Sequence, residues 1–346
     1  MGDEVPDGID VDGVTSWLES RVDALSPPLT FEVIQGGRSN LTFTVTDADG
    51  RRWVLRRPPL HSVLQSAHDM GREHRIMAGL QDSSVPVPPL VGYEPDAAVT
   101  GAEFYVMAFV DGTVIRDAEA AEALDPALRP VIGQDLVDVL VNLHAVDPDE
   151  VGLGELARRQ DYIARQLHRW HGQYEKGKIR DLPVIEDVHA RLVADIPEQG
   201  RASIVHGDYR LDNVIVGEDG NVRAVLDWEL CTLGDPLADV GLLGVYWGAP
   251  QDPVVPLLST PTLVDGFPTR EEATLRYAQR SGRDLSELDY YVAFGFWKLA
   301  IILEGVYARF STGAYGDVPE EQYREFADIV VALAERASEV ARQAGR

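Results

Sequence analysis

The sequence predicts an α+β fold in two lobes: a small antiparallel-sheet N-lobe over residues 1–110 and a larger, mainly helical C-lobe over 111–346. Three observations predict it. Apolar residues alternate in short runs between residues 31 and 110, with Gly, Asp and Pro turn signals between the runs. Beyond Asp111-Gly112 the apolar spacing is that of helices almost to the end, interrupted only by β-like runs separated by polar turns at 202–226. A chain of 346 residues also exceeds what one hydrophobic core usually serves.

The elements follow in order. An amphipathic helix fits residues 11–25, and strands fill 31–57 with turns at Gly36-Gly37 and Asp47-Ala48-Asp49-Gly50. A helix at 66–80 leads into SSVPVPPL, whose prolines forbid helix, and then to strands at 89–94 and 102–110. The C-lobe reads as helices at 117–124, 127–145, 158–175, 184–195, 235–247, 270–281, 286–310 and 319–342. SIVH, NVIV and VRAVLD in the island suit small hairpins that hold loops between helices.

With 57 Asp+Glu against 31 Lys+Arg, the formal charge is −26, a surface that repels phosphate backbones and argues against a nucleic-acid binder. The only lysines are Lys176, Lys178 and Lys298, and high acid with scarce lysine suits a salt-rich cytoplasm. A 45% apolar content excludes disorder. The single cysteine, Cys231, excludes an internal disulfide and favours a reducing compartment. The acidic, turn-rich opening predicts no signal peptide, and Lys298 and Glu304 make YYVAFGFWKLAIILEGVYARF a buried helix and not a membrane span. The expected location is the cytoplasm, with no nucleic-acid or membrane partner and a monomeric or homodimeric state.

The chemistry concentrates in HGDYRLDNVIV (206–216) and AVLDWE (224–229). Asp208 is placed to take a proton from a substrate hydroxyl, while Asn213 and Asp227 offer the hard oxygens that Mg²⁺ prefers. That division of labour, one carboxylate on the nucleophile and an Asn and an Asp on metal, is that of kinase-type phosphoryl transfer. Taken singly, Asp208, Asp212 and Asp227 also read as turn-forming carboxylates beside strands.

The ordered set HGDYRLDN…DWE resembles the catalytic and metal-binding motifs of the aminoglycoside phosphotransferase (choline kinase-like) family, relatives of protein kinases. VPVPPL, FYVMAFVDG, VNLHAVD and LGDPLADVG fall in that family's order, so the resemblance covers residues 30–310. LDWELCTLGDPLADVG and LAIILEGVYARF are similar to the kinase-like domain fused to some acyl-CoA dehydrogenases. The resemblance implies a protein-kinase-like fold, ATP as donor with GTP not excluded, and Mg²⁺. It implies Asp208 as catalytic base, Asn213 and Asp227 as metal ligands, and His206 as a brace of the catalytic loop. Glu229 is either an outer contributor to the metal or a support of the loop, and Asp239 holds the loop from below.

The nucleotide side is read from the N-lobe. Strand alternation in WVLRRPP puts Val54 and Arg56 on one face and Trp53, Leu55 and Arg57 on the other. The family expects a lysine where Arg56 stands; arginine keeps the charge, and its expected partner is Glu73, which shares a helix face with Ile76, Met77 and Leu80. Arg57 is expected at the surface. Ser39 and Asn40 of GGRSN are candidate phosphate donors, although two glycines also make an ordinary hairpin. By resemblance FYVMAFVDG is the hinge, with Met107 behind the adenine and the Ala108 carbonyl and Val110 N–H reading it; a plain buried strand describes the same residues. Asp235 before Pro236 is expected to cap a helix, and His168 and His171 to be exposed helix histidines without an acid nearby.

The expected function is transfer of the γ-phosphoryl group of ATP to a hydroxyl of a small molecule, either a hydroxyacyl compound or an aminoglycoside. The alternative is a nucleotide-binding module that has lost transfer and acts as sensor or scaffold; Arg56 favours it, and the intact Asp208, Asn213 and Asp227 oppose it.

Overall fold

Asp10 starts the first helix, α1 (Val11–Glu19), by accepting the Gly13 N–H at 2.9 Å. The computed structural model describes residues 5–34, 40–60, 69–253, 260–314, 316 and 318–345. The expected phosphate-loop residue Ser39 lies outside the described residues. α1 ends earlier than its apolar spacing suggests, because the Ser20 hydroxyl donates to the Trp17 carbonyl and Ala24 turns to a φ of 55°.

Five antiparallel strands follow: β1 (Thr30–Val33), β2 (Leu41–Thr46), β3 (Arg52–Arg57), β4 (Leu90–Glu94) and β5 (Phe104–Ala108), ordered β1-β2-β3-β5-β4. The helix α2 (Met70–Leu80) lies between β3 and β4 in the chain, capped by Asp69, which accepts the Arg72 N–H at 2.8 Å. Side-chain alternation splits the sheet's faces between two cores. Trp53 and Leu55 pack with Val14, Trp17 and Leu18 of α1, whereas Val54 and Met107 pack with Ile76 and Met77 of α2.

That second core does not stop at the sheet. The same buried cluster includes Ile132, Leu136 and Leu140 of α4 (Arg129–Ala145) and Val214 and Val225 of the catalytic hairpin. The short α3 (Ala118–Glu122) precedes α4, and α5 (Tyr162–Gly177) and α6 (Pro183–Ala194) lead to paired short strands. β6 (Ser203–Val205) pairs with β9 (Thr232–Gly234), and β7 (Val214–Val216) pairs with β8 (Val222–Val225), all antiparallel. Then come α7 (Leu237–Trp247), α8 (Arg270–Ser281), α9 (Leu288–Ser311) and α10 (Arg324–Gln343).

α9 is long and apolar enough to cross a membrane by composition alone, but 72% of its apolar window is buried inside this fold. Its neighbours include α5, α6, α7 and α10 through Phe294, Trp297, Leu333 and Val330. α7 approaches so closely that a Cβ on Gly241 would lie 2.5 Å from the Tyr291 backbone. This crossing sets Asp239, in the first turn of α7, and Lys298, midway along α9, against the 206–208 loop. Asp235 serves the start of α7, as expected, by accepting the Leu237 N–H at 3.0 Å, and its other oxygen takes the Tyr291 hydroxyl at 2.7 Å.

Two sequence expectations need correction. Arg57 is not at the surface: it is 4% exposed, and its guanidinium donates to the carbonyls of Thr100, at 2.8 Å, and of Gly8. The alternation had placed it on the α1 face, where a charge survives only with such partners. His171 does have an acid nearby, Glu186 of α6 at 2.9 Å, with His189 alongside. The His171 and His189 rings stack at 3.9 Å in planes 2° apart, so a single ion cannot lie in both ring planes.

Candidate active site

The loop after β6 is built from below by one buried carboxylate. Asp239 Oδ2 accepts the His206 N–H at 2.6 Å, and its Oδ1 accepts the Gly207 N–H at 2.8 Å. Burial pushes this carboxyl up, but the hydrogen bond from His144, and after it the Gly207 amide, hold it below the usual range. His144, pushed down by its burial, presents Nε2 to Asp239 at 3.2 Å while Nδ1 meets the Tyr277 hydroxyl at 2.7 Å. His206 is fully buried; its Nε2 lies 2.9 Å from the Leu226 carbonyl, and its Nδ1 accepts the Asp208 N–H at 3.3 Å. Those two contacts assign the proton to Nε2. Gly207 has a φ of 85°, and a Cβ there would sit 2.9 Å from the Leu230 carbonyl, so only glycine fits.

Asp208 leaves this platform with its carboxylate oxygens separately engaged. Tyr246 of α7 donates to Oδ1 at 2.7 Å, and Asn213 Nδ2 donates to Oδ2 at 3.0 Å and to the Asp208 carbonyl at 2.8 Å. Burial, and then the charge of Asp208, push the Tyr246 hydroxyl well above its ordinary value, which keeps it a donor. Lys298 of α9, 8% exposed, donates to the Gly207 carbonyl at 3.1 Å. Arg210 Nε lies 2.9 Å from Asp212 and 3.5 Å from Asp208.

Asp227 stands at the end of β8 in a left-handed conformation, φ 62° and ψ 61°, uncommon for a non-glycine residue. Its Oδ1 accepts from Arg56 Nη2 at 2.8 Å, and Arg56 Nε lies 3.1 Å from Glu73 Oε2. Glu73 is 2% exposed and also takes the Tyr105 hydroxyl at 2.9 Å and Asn40 Nδ2 at 3.1 Å. The sequence reading gave Asn40 to the phosphates; here its amide braces the Arg56–Glu73 pair.

Val54 and Met107 are register partners on the β3–β5 ladder and share the α2-facing core. Ala108 N–H donates to the Pro89 carbonyl at 2.7 Å and Phe109 N–H to the Arg52 carbonyl at 3.3 Å. The Val110 N–H has no partner among the described residues, which leaves it open for a ligand acceptor. Glu229 follows Asp227 in a 3₁₀ turn, Trp228–Leu230, and faces a different cleft. That cleft, about 230 Å³, is walled by Gly207 and Lys298, by Arg72 of α2 and by Arg169 of α5.

The donor set suits a hard divalent cation. Asn213 directs its N–H groups at Asp208, which leaves its carbonyl oxygen uncommitted, and Asp227 keeps Oδ2 free of any partner among the described residues. Tyr246, Lys298 and Arg210 were missed in the sequence. Lys298 alone left a signal: a lysine amid an apolar helix needs a partner if the helix is buried.

Residues 30–289 match the model of the family described as the phosphotransferase enzyme family. Mouse acyl-CoA dehydrogenase family member 10 is 34% identical over 93% of this chain, and the chain spans 30% of that protein's length. A crystal structure from Ralstonia eutropha, of a protein named for the aminoglycoside phosphotransferases, superposes with a TM-score of 0.82. It is 30% identical over 96% of this chain and 98% of its own. An aminoglycoside phosphotransferase in ternary complex with AMP-PNP and hygromycin B shares the fold at a TM-score of 0.61. Its identity is 18%, over 96% of this chain and 99% of its own.

Proposed function

The chain belongs to the phosphotransferase enzyme family, and from that premise we propose that it transfers the γ-phosphoryl group of ATP to a hydroxyl of a small molecule with Mg²⁺ bound. The observation that carries this reading is a pair of carboxylates, each held by a side chain at 3.0 Å or less, Asp208 by Asn213 and Asp227 by Arg56, on segments tied together where the Leu226 N–H donates to the Asn213 carbonyl at 2.8 Å. A similar fold elsewhere holds AMP-PNP, which supports a nucleotide here.

In this reading Asn213 and Asp227 hold the cation, which when bound neutralises charge on the phosphates. Arg56 adds a fixed positive charge beside it, and Val54, Met107 and the hinge backbone at Ala108 and Val110 receive the base. Asp208 aligns the acceptor hydroxyl and takes its proton as the oxygen–phosphorus bond forms. The bond from γ-phosphorus to the bridging oxygen breaks, and its electron pair leaves on ADP. Tyr246 and Asn213 fix the carboxylate, so catalysis comes from alignment and charge placement. For the acceptor, similarity to a domain of an acyl-CoA dehydrogenase family member supports a hydroxyacyl-type alcohol over an antibiotic.

Incubating the chain with ATP·Mg²⁺ and a panel of hydroxy compounds, with ³¹P NMR as the readout, should reveal a new phosphomonoester. Stabilisation by ATP·Mg²⁺ without any phosphomonoester or hydrolysis would instead support the sensor reading, which the occupation of Asp227 by Arg56 favours.

A further inference from the structure

The cleft beside the Asp208 loop runs against the charge of the chain. Acids outnumber bases 57 to 31 overall, and most arginines with a carboxylate in reach are paired with it. Arg72, Arg169 and Lys298 all line the cleft, and none forms an ion pair among the described residues. Arg72 Nη2 donates to the Cys231 carbonyl at 2.6 Å. Lys298 donates to the Gly207 carbonyl and sits 5.3 Å from the Trp170 ring centre, and Arg169 is exposed with its guanidinium 5.5 Å from the same ring.

Three acids share the wall, and among the described residues none forms an ion pair with these cations. Glu73 is held by Arg56, Tyr105 and Asn40, and Asp69 accepts the Arg72 amide as the cap of α2. Glu229 adds to the negative field around Arg56. The three cations therefore lie over a polar pocket with no ion pair to a carboxylate among the described residues, and Lys298, 8% exposed, has the Gly207 carbonyl and the Trp170 ring for partners. Burying a cation this way is costly unless an anion arrives.

Deepening the phosphotransferase reading, on which it rests, we propose that this cleft takes the anionic group of the acceptor, a carboxylate or a phosphate ester. Arg169 and Arg72 grip the anion, and Lys298 links it to the Gly207 carbonyl next to Asp208. Arginine forks suit both oxyanions, and Lys298 ties occupancy of the cleft to the loop that carries the base. A polycationic acceptor would meet three like charges in this cleft.

The test uses the full chain with ATP·Mg²⁺ and four probes: 3-hydroxyoctanoate, its methyl ester, its coenzyme A thioester and kanamycin. The acid or the thioester should exceed the methyl ester by at least about 10-fold in kcat/KM, with kanamycin lowest. Preference for the acid identifies a carboxylate as the anion, and preference for the thioester identifies phosphate. Equal use of the methyl ester, or preference for kanamycin, overturns the proposal. If none turns over, calorimetry with AMP-PNP·Mg²⁺ present decides, and binding of neither anionic probe overturns it.

Arg169→Gln, at an exposed position, and Lys298→Met should raise KM for the anionic acceptor by about 10-fold and pull the acid-to-ester ratio toward one, with KM for ATP unchanged. An unchanged acceptor KM in Arg169→Gln also overturns it. Loss of ATP binding and hydrolysis in the wild type is a separate result, which counts against the phosphotransferase reading itself.

Discussion

Asp208 is held by side chains from several elements, among them Tyr246 of α7 and Asn213 of the catalytic hairpin, on a loop whose amides are fixed by Asp239. Asp227 is held by one guanidinium from the opposite lobe and sits in a left-handed backbone conformation. The first arrangement is over-determined and needs no rearrangement to meet a hydroxyl. The second is less determined, because Arg56 holds only Oδ1 of Asp227 and Oδ2 has no partner among the described residues. The group that meets the hydroxyl is thus built in advance, and the one that would hold the metal keeps an open oxygen.

The most damaging test of the rigid side is Asp208→Asn, which should cut kcat about 10³-fold while nucleotide affinity stays within about 2-fold. Steady-state kinetics with calorimetry reads both, and unchanged turnover would remove Asp208 from its assigned role. Next in size, Asp239→Asn takes a charge and one acceptor from under the loop and should cost about 2–4 kcal/mol in urea denaturation. A loss below about 0.5 kcal/mol would mean the loop stands without it.

On the less determined side, Arg56→Lys gives up the fork that spans Glu73 and Asp227 while keeping the charge Glu73 needs. Asp227 should be freed, lowering the Mg²⁺ concentration for half-maximal activity about 3- to 10-fold. No change in Mg²⁺ dependence would show that Arg56 does not restrain Asp227.

The smallest effect is that of pH. Burial depresses His144, so below the ordinary histidine value near 6.5 the unfolded chain takes a proton that the folded chain refuses. Its contribution is complete above that pH and declines as pH falls toward the depressed value. Asp239, also depressed, adds its loss only in the more acidic carboxylate range. The melting temperature should fall from pH 7.5 to 5.5, and His144→Gln should flatten that slope.

Much of the fold is legible because its signals are local. The Asp-Gly turns, the VPVPP break and the 3.6-residue spacing of 270–281 each act within a few residues, and α8 occupies that span. Helix ends were less legible where backbone geometry decides. The expected helix at 158 begins at Tyr162 because Asp161 adopts a φ of 54°, and the one expected at 319 begins at Arg324 after a 3₁₀ turn. Asp208, Asn213 and Asp227 were visible as an ordered motif within 20 residues. Tyr246 and Lys298 reach Asp208 and Gly207 from 38 and 91 positions away, through a helix crossing that no local period encodes. The surface reading of Arg57 failed similarly, since its carbonyl partners lie in distant turns.

The buried cluster that joins Val54, Met107, Ile76 and Met77 to Ile132, Leu136 and Leu140 has a consequence for dissection of the gene. Cutting between codons 110 and 111 follows the change of secondary structure but splits this cluster, so each fragment would display an apolar face and aggregate when made alone. The intact chain should melt in a single calorimetric transition, with the sheet and helices inherited, and lost, together.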